Sequence, residues 1–223
     1  MRQNLKGLVA AAGLLTLLSG CFGAHNTASD GRYIPIELWA GAEWDGQPVK
    51  TWPRLDTITG KNSNRTVKGP IAWSHPQTGA PQKVYERTKH RQSGAKRQLF
   101  TINGNGSVLG RVFDSRPGVE DRWFVDDAFF PIGQWHRGEE RSFRLTEITA
   151  AGPVEQIATI KIRRLDFTYR DVPHSLKYDW MLHDEGGRLL FHENYVYSPG
   201  KGLVRFRDRA KDETRRQAAV AKE

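Results

Sequence analysis

The chain has 223 residues, 34 of them Lys or Arg against 25 Asp or Glu, for a formal charge of +9 with its seven histidines neutral. Its single cysteine excludes a disulfide within the chain and a zinc site built from several thiolates. The length is enough for one sizeable core or two small ones.

The chain opens on basic Arg2 and Lys6 and an apolar run over 7–18, which is too short for the roughly 20 residues a spanning helix needs and has the layout of a secretory signal. The run closes at Leu18-Ser19-Gly20-Cys21. This motif resembles the lipobox of bacterial lipoproteins and stands at the expected distance from Met1. The resemblance covers the first 21 residues. It implies a diacylglycerol on the Cys21 sulfur, removal of residues 1–20 as signal peptide, and acylation of the new N-terminus. The plainer alternative is an ordinary signal peptide with a cysteine nearby. One acyl chain binds a bilayer reversibly, whereas two or three anchor it. In Gram-negative lipoproteins an Asp after the cysteine marks inner-membrane retention. Phe22 stands there, so the resemblance implies an outer-membrane lipoprotein facing the periplasm.

Lipidation of Cys21 would consume the only thiol, leaving the mature domain without a cysteine nucleophile and dependent on apolar burial for stability. Losing Arg2 and Lys6 lowers Lys plus Arg from 34 to 32 against 25 acids, which still leaves +7. Such a charge draws a domain toward lipopolysaccharide phosphates, anionic lipid head groups or acidic glycans. The ordinary reading is solvated strand faces and protected edges. Nucleic acid is a poor match for an exported, lipid-anchored chain.

Residues 21–32 lack periodicity and read as a flexible tether. The β domain is expected over 33–207. Residues 33–39 have strand composition, with Pro35 placing them at an edge or a strand start. Trp44-Asp45 offers either a sugar-stacking surface or a core cap beside a turn. Gly60-Lys61 fails as a phosphate loop, because Leu55 and Asn62 stand where Gly and Ser or Thr are needed. Strands are expected at 71–73 and 83–87, joined by a loop at 75–79. A hairpin over 97–113 turns at Asn103-Gly104-Asn105-Gly106, and a further turn falls at 114–118.

Residues 122–136 are the most aromatic stretch. Their neighbours Asp126 and Asp127 would face opposite sides of a strand, which argues against an acid and base pair. Residues 142–148 alternate as a half-buried strand, and 157–169 form a long β-branched and aromatic one. A hairpin about Gly186-Gly187 pairs Leu182 with Phe191, Tyr178 with Tyr195, and Leu176 with Tyr197 on a core-facing side. Its other side places His192 opposite Met181 and His183 opposite Leu190, with Asp179 next along. The stretch Tyr195 to Val204 resembles the aromatic-x-Tyr-Ala-Pro-Gly-Val-Gly-Leu-Val turn of several exported bacterial β proteins of unassigned activity, departing at Ser198 and Lys201. That resemblance implies a curved antiparallel sheet and no particular chemistry. Residues 208–223 read as a charged tail.

Short strands punctuated by Gly and Pro, without a long amphipathic helix, indicate an all-β fold: an antiparallel sandwich or an open or half barrel, in a single domain. Three functions follow. The first is a non-catalytic envelope lipoprotein that binds another envelope protein or assists assembly, against which a compact polar pocket with a strongly shifted carboxylate would count. The second is a lipid- or glycan-binding module, which requires an apolar cleft or a row of exposed aromatics. The third is a metal-dependent hydrolase using His183, His192 and Asp179. No Gly-x-Ser-x-Gly or His-Glu-x-x-His motif occurs, so no catalytic, metal or cofactor residue is assigned, and Cys21 is the one site residue.

Overall fold

The computed structural model describes residues 31–41, 51–55 and 64–209, with backbone alone for 51–55, 64, 65 and 91. The signal run, Cys21, Trp44-Asp45, Gly60-Lys61 and the tail beyond Arg209 lie outside the described residues.

Strand β1 (Gly31–Ile34) leads into a five-residue helix, α1 (Ile36–Ala40). The helix corrects the reading of 33–39 as one strand. Pro35, at φ −80° and ψ 153°, forms the N-cap, where its missing N–H costs no hydrogen bond. Gly41 closes the helix in the left-handed region at φ 80°, donating its N–H to the Glu37 carbonyl. Leu38 and Trp39 are thereby both buried.

The strands that follow are β2 (Thr51–Leu55), β3 (Asn64–Ser74), β4 (Pro81–Arg91), β5 (Gly94–Asn103), β6 (Val108–Arg116), β7 (Val119–Val125) and β8 (Phe130–Pro131). After them come β9 (Gly133–His136), β10 (Glu140–Thr149), β11 (Gly152–Tyr169), β12 (Val172–Asp184), β13 (Leu189–Ser198) and β14 (Gly202–Asp208). One antiparallel sheet runs β14-β13-β12-β11-β10-β7-β6-β5-β4-β3-β2, with β8 on β6, and curls into a half-barrel. The fold is therefore all-β, with the open half-barrel as its architecture. β1 pairs with β9 as a separate ribbon.

The hairpin of β12 and β13 has the expected register at Leu176–Tyr197, Tyr178–Tyr195, Met181–His192 and Leu182–Phe191. A bulge after Leu182 then places His183 opposite Leu189, not Leu190. The loop there is longer than a two-residue turn, with the Asp184 N–H donating to the Arg188 carbonyl. Asp114 also departs from its expected place in a turn, because β6 continues to Arg116.

The concave face is filled by α1 and by residues 126–132. Where this segment crosses β6, Gly110 has no side chain for a physical reason: a Cβ would lie 1.7 Å from the Asp127 carbonyl oxygen. Phe129 N–H donates to the Leu109 carbonyl at 3.0 Å, and Ile132 N–H to the Ser107 carbonyl at 3.0 Å. From the opposite side the Tyr178 hydroxyl donates to the Phe129 carbonyl and Trp180 Nε1 to the Ala128 carbonyl, at 3.0 and 2.7 Å. The aromatic stretch thus packs as expected: its ends lie in β7 and β9, and residues 126–132 between them cross the lumen as a plug.

Candidate functional site

Inward-pointing side chains differ sharply from one flank of the half-barrel to the other. β10 to β13 present Leu145, Ile160, Ile162, Leu176, Tyr178 and Tyr197, all buried in the main core. β4 to β6 present charge. Arg87 faces Gln98 across one strand pair, and Gln98 faces Asp114 across the next. These pairings form a chain of hydrogen bonds: Arg87 Nε and Nη2 donate to Gln98 Oε1 at 3.2 and 2.8 Å, and Gln98 Nε2 donates to Asp114 Oδ2 at 2.9 Å. All three residues are buried.

Arg87 is the unusual member. Its guanidinium lies 5.2, 4.9 and 5.7 Å from the ring centroids of Trp39, Phe100 and Phe129, a desolvated cation–π cage. No ion pair joins it to a carboxylate among the described residues; its hydrogen-bond acceptor is a neutral amide. Beside it, the buried Trp39 Nε1 has no hydrogen-bond acceptor among the described residues. Arg111 shares the Phe129 ring at 5.3 Å and is neutralised by Asp127, with its Nε 2.7 Å from Oδ2. Burial opposes the charge on Arg111, but Asp127 overcomes it and holds the pKa above its ordinary value.

The mouth of this flank holds two groups whose pKa values are both lowered. Lys96 is pushed down to about 7, first by burial and then by the charges of Arg116 and Arg87, against the pull of Asp114 at 3.1 Å. Burial works to raise Asp114, yet Arg116 and Lys96 leave it lowered. The two directions agree on one account: Asp114 neutralises Arg116, which leaves Lys96 as the surplus cation. Glu193, on β13 across the lumen, is raised by burial, partly offset by the hydrogen bond it accepts from the Tyr195 hydroxyl and by Arg111 and Lys96. Asp114 and Glu193 thus each have a partner within the protein, Asp114 in Arg116 and Lys96 and Glu193 in Tyr195, and neither is the strongly shifted carboxylate in a pocket that would count against a binding role.

On the convex face Asp179 and His192 do come together, with Nε2 3.1 Å from Oδ2. The same carboxylate accepts from Arg163 Nη2 at 2.5 Å and from Asn194 Nδ2 at 2.6 Å. Burial works to raise Asp179, and those three partners hold it below the usual carboxylate range. His183 is not among its partners. No group of three or more His, Cys, Asp or Glu is placed to hold a metal among the described residues. His75 is buried and structural, its Nε2 3.2 Å from the Phe124 carbonyl, beside the stacked Trp73 and Trp123.

Sequence reading missed the charged flank because its members come from three strands. The available signal was parity: Tyr85, Arg87 and Lys89 alternate on β4, as Lys96, Gln98 and Phe100 do on β5, mixing charge and aromatics on one face. No family model matches this chain, and no curated protein or solved structure matches it.

Proposed function

We propose that the chain is a cell-envelope lipoprotein, anchored through acylated Cys21 in the outer membrane and facing the periplasm, whose role is binding and not catalysis. Its site is the β4–β6 flank, and its ligand is an anionic group carried by another envelope component, such as a glycan or a lipid head group. One observation carries the ligand chemistry: Arg87 and Trp39 are buried donors side by side, and among the described residues neither meets an anionic acceptor. A buried donor without an acceptor costs about 1–3 kcal/mol, so a carboxylate or phosphate oxygen entering there would be met by donors already desolvated. The lipobox motif supports the anchor, and the net charge favours an anionic partner.

Both halves are testable. A ligand that binds only the folded state stabilises it by mass action. Inorganic phosphate should raise the Tm of the protein above the effect of chloride at equal ionic strength, and Arg87→Gln should remove the difference. Equal responses to the two anions would overturn the site. For the anchor, Cys21→Ser should abolish acyl labelling and release the protein from membranes; a variant that stays membrane-bound would show the lipobox reading to be wrong.

A further inference from the structure

A second concavity lies away from the charged flank, between the start of the domain and the β11–β12 hairpin. It measures about 480 Å³, within the 300–1,000 Å³ range typical of ligand pockets. Ile34, Leu38, Leu165 and Leu176 supply aliphatic wall. Arg32, Asp166 and His174 stand at its rim, with Asp166 accepting from Arg32 Nε at 3.0 Å and lying 2.5 Å from His174 Nδ1.

The backbone here is irregular, and hairpin geometry accounts for only part of it: Arg170 and Asp171 are the two turn residues inside the Tyr169–Val172 pair, where the turn itself asks for positive φ. Asp166, Arg170, Asp171 and His174 all have positive φ, at 51°, 47°, 64° and 57°, and the β11–β12 register slips three times beyond Ile162. Left-handed conformations at non-glycine residues cost roughly 1–3 kcal/mol each and cluster where side chains must be aimed. Two of the four, Asp166 and His174, are aimed at each other on the rim.

Position supplies the rest. Nine residues, 22–30, separate Cys21 from Gly31, and they can span at most about 32 Å. If Cys21 carries the lipid, the cleft, lined by Arg32, Tyr33 and Ile34, stands at the end of that tether and is held within about its length of the bilayer. At its rim Arg32 meets Asp166 through Nε alone, and a guanidinium has five donors, so the Nη groups of this 63% exposed side chain can turn to an anion.

We propose that the cleft binds a single-chain amphiphile drawn from the adjacent membrane, its aliphatic body against Ile34, Leu38, Leu165 and Leu176 and its anionic head group on Arg32. The inference rests on the anchor reading for the source of the ligand and is independent of the β4–β6 site.

The test reconstitutes the full lipidated protein in phosphatidylcholine vesicles containing a trace of diazirine-bearing palmitate or the matching neutral alcohol. After irradiation, adducts are mapped by peptide mass. Adducts of the acid should fall in 32–38 and 163–176. Arg32→Glu, an exposed change, should lower them about tenfold, the effect of losing one charge-assisted hydrogen bond, and Leu165→Trp should block labelling by filling the cleft. The alcohol should label weakly. Adducts spread elsewhere, or unchanged in both variants, or equal for acid and alcohol, would overturn the proposal. Intact mass of the same sample reports acylation of Cys21, so failure of the anchor is read separately from failure of the cleft.

Discussion

The two flanks of the half-barrel share a pleat, a curvature and a plug, and they bury different chemistry. Between β10 and β13 the inward positions are aliphatic and aromatic, with Tyr178, Tyr195 and Tyr197 forming a ladder whose ring centroids are 5.2, 6.2 and 6.4 Å apart. Between β4 and β6 the same positions hold Arg87, Lys96, Gln98, Arg111 and Asp114. Apolar burial stabilises a fold roughly in proportion to area, whereas a buried ion pair contributes little net stability once its desolvation is counted. The comparison teaches a division of labour: one flank holds the fold together, and the other carries buried charge that adds little to stability.

Breaking the apolar flank should have the largest effect. Ile160 is fully buried opposite Trp180 and has no polar role. Ile160→Ala removes three heavy atoms and leaves a cavity, for an expected loss of about 2–5 kcal/mol. Urea unfolding measures it, and the phosphate response should survive where the variant is still folded. A loss below 1 kcal/mol would mean that the flank is not the stabilising one.

The charged flank should respond to pH instead. Lys96 has a folded pKa of about 7 against an ordinary 10.5. Between those values the unfolded chain binds a proton that the folded one does not, so this group makes stability rise with pH across that window. Below about 7 both states are protonated, and the cost of burying the charge is felt in full. Lys96→Met should therefore flatten the rise seen between pH 7 and 9 and stabilise the protein most at the lower end. A wild-type slope unchanged by the substitution would remove Lys96 as its source.

These effects differ in how visible they were in the sequence. The apolar flank was legible because Leu176, Tyr178, Tyr195 and Tyr197 alternate within one hairpin, where local turn geometry sets the register. The single-residue error at His183 came from the bulge after Leu182, which no residue type announces. Helix α1 was not legible, since five residues carry less than two turns of periodicity and Leu38 and Trp39 suit a strand equally well. The charged flank is assembled by pairing β4, β5 and β6, so no short window contains Arg87, Gln98 and Asp114. Asp114 was further disguised by Pro117-Gly118 downstream, which drew the turn three residues too early.

The smallest predicted effect lies on the seam between the flanks. The Tyr178 hydroxyl, on the apolar flank, donates to the carbonyl of Phe129, whose ring is shared by Arg87 and Arg111 on the charged one. Tyr178→Phe keeps the ring and its packing and removes that donor alone. The Phe129 carbonyl then loses a buried partner, which should cost about 1 kcal/mol. If the plug transmits position from one flank to the other, the variant should also weaken the phosphate-dependent rise in Tm, although residue 178 is on the far side of the lumen. A stability loss with an unaltered phosphate response would show that the flanks are energetically independent, and that the plug fills space without orienting Arg87.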